Sequence, residues 1–199
     1  MKNIFLLLII FSAFSLSAQD NILMLSGHIL EGKIVDHNRH HVKYEMTKGK
    51  STRTLEIESY RVFSFTKDGS ETVMYKRDST IGNYLSEQEM RYFIWGAQDA
   101  MEHFSGRWAF FSGIGVGAIG GYLLAQSFIV VSVPLVYPIV TSVHKIHPKE
   151  TYSRDPKLLE EPAYLTGYHK TTKSKRFFQA LKGSLLGTVA GVSAYYAAN

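Results

Sequence analysis

The longest charge-free stretch of the chain limits its possible folds most strongly. Between Arg107 and Lys145 there is no Asp, Glu, Lys or Arg, which leaves 37 residues, 108–144, without a formal charge. A globular core helix of that length would normally carry charges, whereas a helix in the hydrocarbon core of a bilayer needs about 20 apolar residues. The stretch therefore predicts an apolar membrane segment over residues 105–144.

The number of crossings within this segment stays open from the sequence. Gln126-Ser127 is the most polar break, and Pro134 and Pro138 would bend the second half. A helical hairpin over 108–126 and 128–144 is the first choice, and one span followed by an apolar interfacial segment is the alternative. After a polar loop at 145–176, residues 177–199 predict a further glycine-rich membrane helix, interrupted only by Gln179 and Lys182.

Charge is divided unevenly between the two halves of the chain. Residues 105–199 carry ten Lys/Arg and four Asp/Glu, a net of +6, while residues 19–104 have a net of −2. Basic residues beside apolar helices usually meet lipid phosphates, so membrane lipids are the expected partners and nucleic acid is not. A hairpin would place the basic loop 145–176 in the periplasm, against the positive-inside rule, whereas a single crossing would satisfy that rule.

Residues 1–18 have the pattern of a secretory signal peptide. Lys2 provides the positive start, Ile4 to Phe14 is apolar apart from Ser12, and Ala18 ends the segment with a small residue. An uncleaved N-terminal anchor is the alternative, and either interpretation predicts export to the cell envelope, with the inner membrane favoured over the outer. The chain has no cysteine, which excludes disulfides, thiolate chemistry and a lipoprotein anchor.

Residues 19–78 show the alternation of short β-strands with turn signals between them. Val42, Tyr44 and Met46 alternate with polar residues, and Asp68-Gly69 is a strong signal for a two-residue hairpin. Five or six short strands in under 60 residues, each with one apolar face, predict a small β-barrel domain in the periplasm.

This region contains the pattern Asp20, Gly27, Ile29, Gly32, Val35, Val42-x-Tyr44, Ile57, Val62-Phe63 and Asp68-Gly69-x-Glu71-x-x-x-Tyr75. The pattern resembles a domain of exported proteins from Bacteroidetes-type Gram-negative bacteria. The resemblance covers roughly residues 19–78, and it implies a small β-barrel and an envelope location but no site. A second segment, from Gly167-Tyr168 through Lys175-Arg176 to Lys182-Gly183, is also similar to such proteins.

Residues 79–104 predict a linker followed by an amphipathic helix. Ser86 and Glu89 have the spacing of a capping box, in which each side chain binds the backbone N–H of the other residue. The helix is expected to run to about His103. Arg107 and Trp108 then mark the expected membrane interface, together with Lys175, Arg176 and Lys182.

Two glycine ladders are the clearest motif in the chain. Glycine at every fourth residue clears one strip of a helix, so that a second helix can approach closely in lipid. The ladders predict helix association, either within one chain or between copies. They comprise Gly113, Gly117 and Gly121 in one segment, and Gly183, Gly187 and Gly191 in the other.

The sequence predicts no catalytic, metal or cofactor site. The spacing of His37, His40 and His41 matches no familiar metal site, and neighbouring strand residues point to opposite faces. The glycines from Gly113 onward superficially suggest a dinucleotide fingerprint but lack a preceding strand. The carboxylates of the amphipathic helix are interpreted as a solvated or interfacial face: Glu87, Glu89, Asp99 and Glu102.

Three functional hypotheses remain at this point. The first is a non-catalytic, membrane-anchored scaffold protein that contacts an envelope partner through its β-domain. The second is a self-associating glycine-ladder protein that perturbs or remodels the bilayer. The third, a metal-dependent or hydrolytic enzyme, has little support because no nucleophile–base pair or ligand cluster is recognisable.

Overall fold

A computed structural model describes residues 20–49 and 51–199. The proposed signal peptide, residues 1–18, lies outside the described residues. The chain divides at Asp78/Ser79 into two compact units, here called the β unit and the helical unit.

The described residues of the β unit form seven short strands in two antiparallel sheets. The strands are β1 (Asn21–Met24), β2 (Ile29–Glu31), β3 (Lys33–His37), β4 (His41–Lys48), β5 (Ser51–Glu58), β6 (Val62–Lys67) and β7 (Ser70–Val73). One sheet has the order β2-β1-β6-β7 and the other β3-β4-β5. The predicted Asp68-Gly69 turn is confirmed, since both residues have positive φ and join β6 to β7 with Lys67 opposite Ser70.

The alternating apolar residues of both sheets form one core. Asp20 helps to hold the sheets together, because its carboxylate accepts the backbone N–H of Ile34 at 3.0 Å and that of Asp68 at 3.1 Å. The core residues are Ile22, Met24, Ile34, Val42, Tyr44, Ile57, Val62 and Phe65.

The prediction of a small five- to six-stranded β-barrel is wrong. The two sheets are open: β7 pairs with β6, β5 pairs with β4, and no ladder joins these outer strands. Alternation specifies which face of a strand is buried, and it is equally compatible with two packed sheets and with a closed barrel.

The helical unit contains four α-helices and several short 3₁₀ turns. The capping box that opens the first helix is confirmed: Ser86 Oγ accepts the Glu89 N–H, and Glu89 accepts the Ser86 N–H. Gly106 lies between the first two helices with φ 63°, a left-handed conformation that favours glycine. The helices are α1 (Glu87–His103), α2 (Arg107–Leu123), α3 (Val133–Ser142) and α4 (Pro162–Ala198).

Helix α4 is the central helix of the unit and packs against the other three α-helices. It has 37 residues, which gives it a length of about 56 Å at 1.5 Å per residue. Helices α1 and α2 follow one another along α4 and run parallel to it. The segment between α2 and α4, including α3, runs back in the opposite direction: Ser112 bonds Tyr137 at 2.6 Å, and Arg154 bonds Asp99. A return segment of this kind is needed because two parallel neighbours cannot be joined by a short turn.

The predicted β-plus-α membrane fold with two or three membrane-spanning helices is also wrong. In the described part of the chain, no helix is both long enough and apolar enough to cross a membrane. The charge-free stretch is divided among α2, a 3₁₀ turn and the ten-residue α3. Helix α4 is long, but its sequence mixes apolar residues with glycine, serine, threonine and several cations.

Candidate functional site

The first glycine ladder lies where α2 packs against α4. A Cβ built on Gly113 would approach the Ala180 carbonyl oxygen to 2.9 Å, and one on Gly117 would clash with the Ser184 carbonyl. Gly121 meets Thr188 in the same way. Each glycine therefore allows the backbone of α4 to lie in direct contact with α2.

The second ladder belongs to α4 and lies in the same contact between α2 and α4. A side chain on Gly183, Gly187 or Gly191 would overlap the carbonyls of Phe110, Ile114 and Ala118, respectively. The structure thus brings all six glycines together within one chain. Since these strips are covered, they do not offer a free surface to a second copy.

Two further glycines make the same kind of contact between α1 and α4. Gly96 lies against the backbone of Tyr164 and Tyr168, and Gly167 lies against Phe93. Sequence reasoning did not identify this pair. The sequence did contain a signal for this contact. Gly96 and Gly167 are separated by about 70 residues, as are Gly113 and Gly183, Gly117 and Gly187, and Gly121 and Gly191.

A buried carboxylate fixes the return segment to α1. Asp99 is 4% exposed, accepts the Arg154 guanidinium at 2.7 Å and accepts the Tyr164 hydroxyl at 2.8 Å. Burial, together with the hydrogen bond to Asp99, raises the pKa of Tyr164 to about 12. Asp99 is therefore a packing residue, and its assignment to a solvated face is wrong.

The five residues predicted at the membrane interface have different surroundings. Arg107, Trp108 and Lys182 are exposed. Lys175 donates to carbonyls at the end of α1, including Phe104 at 2.8 Å. Arg176 is 2% exposed.

The Arg176 guanidinium is enclosed between helices. It donates to the Thr141 carbonyl at 2.8 Å and lies over the Trp108 ring at 5.8 Å from the centroid. Burial lowers the pKa of Arg176. This contact places the start of α2, the end of α3 and the middle of α4 at one level of the helical unit.

From that level onward, most outward-facing side chains of the helical unit are apolar, and this region is here called the apolar end. It includes outward-facing residues of α2, α3 and the second half of α4, and Phe128 in the connecting turn is fully exposed. Monomeric soluble proteins rarely expose large groups of neighbouring apolar side chains. Its large side chains are Trp108, Phe111, Val116, Ile119, Tyr122, Leu123, Phe128, Ile129, Val131, Leu135, Val136, Ile139, Val140, Val143, Phe178, Leu185, Leu186, Val189 and Tyr196.

Exposed cations stand where the apolar end begins. Arg107 opens α2, Lys145 follows the end of α3, and Lys173 lies in α4 just before Arg176. We call these three residues the basic rim. The described residues of the apolar end include one formally charged side chain, that of Lys182.

The described residues contain no cluster of side chains suited to bind a metal ion. Across residues 20–49 and 51–199, no group of three or more His, Asp or Glu side chains is arranged to hold a metal ion. The histidine-rich turn is organised locally instead, because the Asn38 side chain accepts the backbone N–H groups of His40 and His41. His41 also lies 3.2 Å from Glu56.

Comparisons with protein-family models, curated proteins and solved structures found no match to this chain. The resemblance to exported Bacteroidetes-type proteins therefore stays a prediction.

Proposed function

We propose that this chain is a non-catalytic envelope scaffold that attaches to a lipid bilayer through the apolar end of its helical unit. The observation that carries the proposal is the apolar end itself, bordered by the basic rim. Apolar side chains gain free energy on leaving water, and cations at their border attract anionic headgroups. Attachment of this kind requires no helix that crosses the bilayer.

The distribution of exposed side chains supports lipid over a protein partner as the occupant of this surface. Exposed apolar residues project from α2, α3 and α4, on more than one side of the unit. A single protein partner would cover one face and would usually meet a polar border around it. Lipid chains can surround the whole apolar end.

The export signal predicted for residues 1–18 supports an envelope location for this attachment. The β unit of a protein attached in this way can then meet an envelope partner. Self-association through the glycine ladders is less favoured as a function, because the ladders are filled by contacts within the chain.

Flotation with vesicles tests the lipid attachment. Detergent-solubilised full-length protein is mixed with vesicles of phosphatidylcholine and phosphatidylglycerol, the detergent is removed, and the floated fraction is measured. The test variant combines Phe128→Asp with Val131→Asp, both at exposed positions. A charge inside the lipid costs about 3 kcal/mol, so we expect at least a tenfold loss of partitioning.

The matched control places the same substitutions on the β unit. Val35 and Tyr60 are exposed there, so the Val35→Asp/Tyr60→Asp protein should float like the natural protein. Equal loss in both double variants, or failure of the natural protein to float, would refute lipid attachment through the apolar end.

A further inference from the structure

The β unit contains a groove with a volume of about 800 Å³. Strand β2 lines one side, with Ile29 and Glu31. Strand β4 lines the other side with residues 44–47, and Thr52 of β5 lies beside it. The groove therefore lies between one strand from each of the two sheets.

Gly32 marks the closed end of this groove. A Cβ at this position would lie 2.6 Å from the Glu45 carbonyl oxygen and 2.8 Å from the Tyr44 ring, so only glycine allows the approach. After Gly32 the chain continues as β3 and pairs with β4. The residues before Gly32 form β2, which pairs with β1 and not with β4.

This divergence leaves two strand edges without a strand partner in the described part of the chain. On one side of the groove β2 pairs with β1 alone, and on the other side β4 beyond Glu45 pairs with β5 alone. Unpaired edges are the sites at which an extended peptide can add as a further strand.

Hydrogen bonding in the β1–β2 ladder shows which backbone groups are available. Met24 N–H donates to the His28 carbonyl, and Gly32 N–H donates to the Asp20 carbonyl. In an antiparallel pair the direction of the bonds alternates along each strand. The N–H and C=O groups of Ile29 and Glu31 therefore point away from β1, toward the groove.

The charge of the lining favours a basic occupant. Among the described lining residues there are four carboxylates, from Asp20, Glu31, Glu45 and Asp68, and one cation, Lys33. Asp20 is already occupied by two backbone N–H groups, which leaves the other three carboxylates for a ligand. Two apolar side chains of the lining are also accessible to a ligand: Ile29 is 55% exposed and Met46 is 37% exposed.

We propose that this groove binds an extended peptide segment rich in Lys or Arg, which adds as a strand to the edge of β2. Backbone bonds to Ile29 and Glu31 would supply the pairing, and the carboxylates would select alternate basic side chains. The proposal depends on the β unit alone, so it does not require the lipid attachment proposed above.

Peptide binding to the detergent-solubilised full-length protein tests the proposal. The probe is a fluorescent, capped nine-residue peptide of alternating Lys and Val, measured by anisotropy. A second peptide carries Glu in place of Lys. A third keeps the Lys residues but is N-methylated at alternate backbone nitrogens, so that it retains charge but cannot donate the pairing bonds.

We expect saturable binding of the Lys peptide, with at least tenfold weaker binding of the Glu and N-methylated peptides. The Glu31→Lys/Glu45→Lys protein should also bind at least tenfold more weakly. The control, Asp36→Lys, adds positive charge on the β unit outside the groove lining and should leave the affinity within twofold.

Three results would overturn the proposal. Equal affinity for the N-methylated peptide would show that charge alone attracts the probe. Equal affinity for the Glu peptide, or unchanged affinity of the Glu31→Lys/Glu45→Lys protein, would show that the groove does not select basic segments. A lack of saturable binding would exclude the site, and thermal unfolding of each variant distinguishes that result from loss of the fold.

Discussion

Gly115 and Gly117 stand two residues apart in α2 but have opposite surroundings. A Cβ at Gly115 would meet nothing within 4 Å, whereas one at Gly117 would overlap the Ser184 carbonyl. The sequence shows glycine at both positions, and the spacing of four residues predicts that Gly117 belongs to the packing strip. The helix against which Gly117 packs could not be predicted, because a glycine ladder can pack equally well against a helix of the same chain or of another copy.

The two glycines should therefore respond oppositely to alanine. Gly115→Ala should raise the free energy of unfolding by about 0.5–1 kcal/mol, because alanine restricts the unfolded chain without a clash. Gly117→Ala should lower it by about 1–3 kcal/mol, because the helices must separate. Denaturant unfolding in detergent measures both changes. Equal effects would contradict the α2–α4 packing.

Tyr164 should make stability depend on alkaline pH. Its pKa is raised from 10.0 to about 12 in the folded protein, first by burial and also by the bond to Asp99. The unfolded chain therefore loses this proton at lower pH than the folded protein. The stabilisation is complete below pH 10 and is lost as the pH rises to about 12.

Comparison with Tyr164→Phe isolates this contribution. Between pH 10 and 12, the free energy of unfolding of the natural protein should fall more steeply than that of the variant. Tyr168, whose pKa is also raised by burial, is present in both proteins and therefore cancels. Parallel pH profiles would contradict the burial of the Tyr164 hydroxyl.

The end of α1 shows how one element depends on another that is distant in sequence. The last carbonyls of a helix have no intrahelical partner. Lys175 of α4 donates to the carbonyls of Ala100 and Phe104, and also bonds Met101. Its cation also lies favourably at the negative end of the helix dipole.

Removing this cap should weaken α1 specifically. Lys175→Met should lower the free energy of unfolding by about 1–3 kcal/mol and speed hydrogen exchange in the last turn of α1. Lys173→Met, two residues away at an exposed position, should change stability by less than about 0.5 kcal/mol. Similar effects of both substitutions would show that Lys175 is not a cap.

Local signals predicted individual elements better than their assembly. The Ser86–Glu89 box correctly starts α1, and Asp68-Gly69 correctly joins β6 to β7. Both signals act over a few residues, through side-chain bonds or backbone conformation. The predicted closure of the sheet into a barrel was wrong because closure depends on pairing between strands that are distant in sequence. The change of strand partner at Gly32, where β3 pairs with β4 but β2 pairs with β1, depends on the contact of Gly32 with Tyr44 and Glu45.

At the scale of the helical unit, composition predicted an apolar segment but not the arrangement of its helices. The charge-free residues 108–144 form α2, a turn and α3. A pattern of hydrophobic residues does not reveal that α4 runs alongside both α1 and α2. Arg176 illustrates the difference: its type and position suggested a membrane interface, but α3 covers it and its guanidinium bonds Thr141.

The basic rim predicts that the proposed lipid attachment depends on headgroup charge. Arg107 and Lys145 are exposed at the border of the apolar end. Each cation near an anionic membrane contributes about 1 kcal/mol, so Arg107→Gln combined with Lys145→Gln should weaken binding about 30-fold. The loss should appear with vesicles containing phosphatidylglycerol at low salt and shrink as salt rises, because salt screens exposed charges.

A matched pair of cations away from the rim provides the control. Lys157 and Lys170 are exposed on the polar part of the same unit, so Lys157→Gln/Lys170→Gln changes the net charge equally. This variant should bind within about threefold of the natural protein, and vesicles of phosphatidylcholine alone should not distinguish the two double variants. If both variants lose the same affinity for anionic vesicles, net charge controls attachment. The apolar end then has no oriented basic border, and the proposed placement of the helical unit at the lipid surface fails.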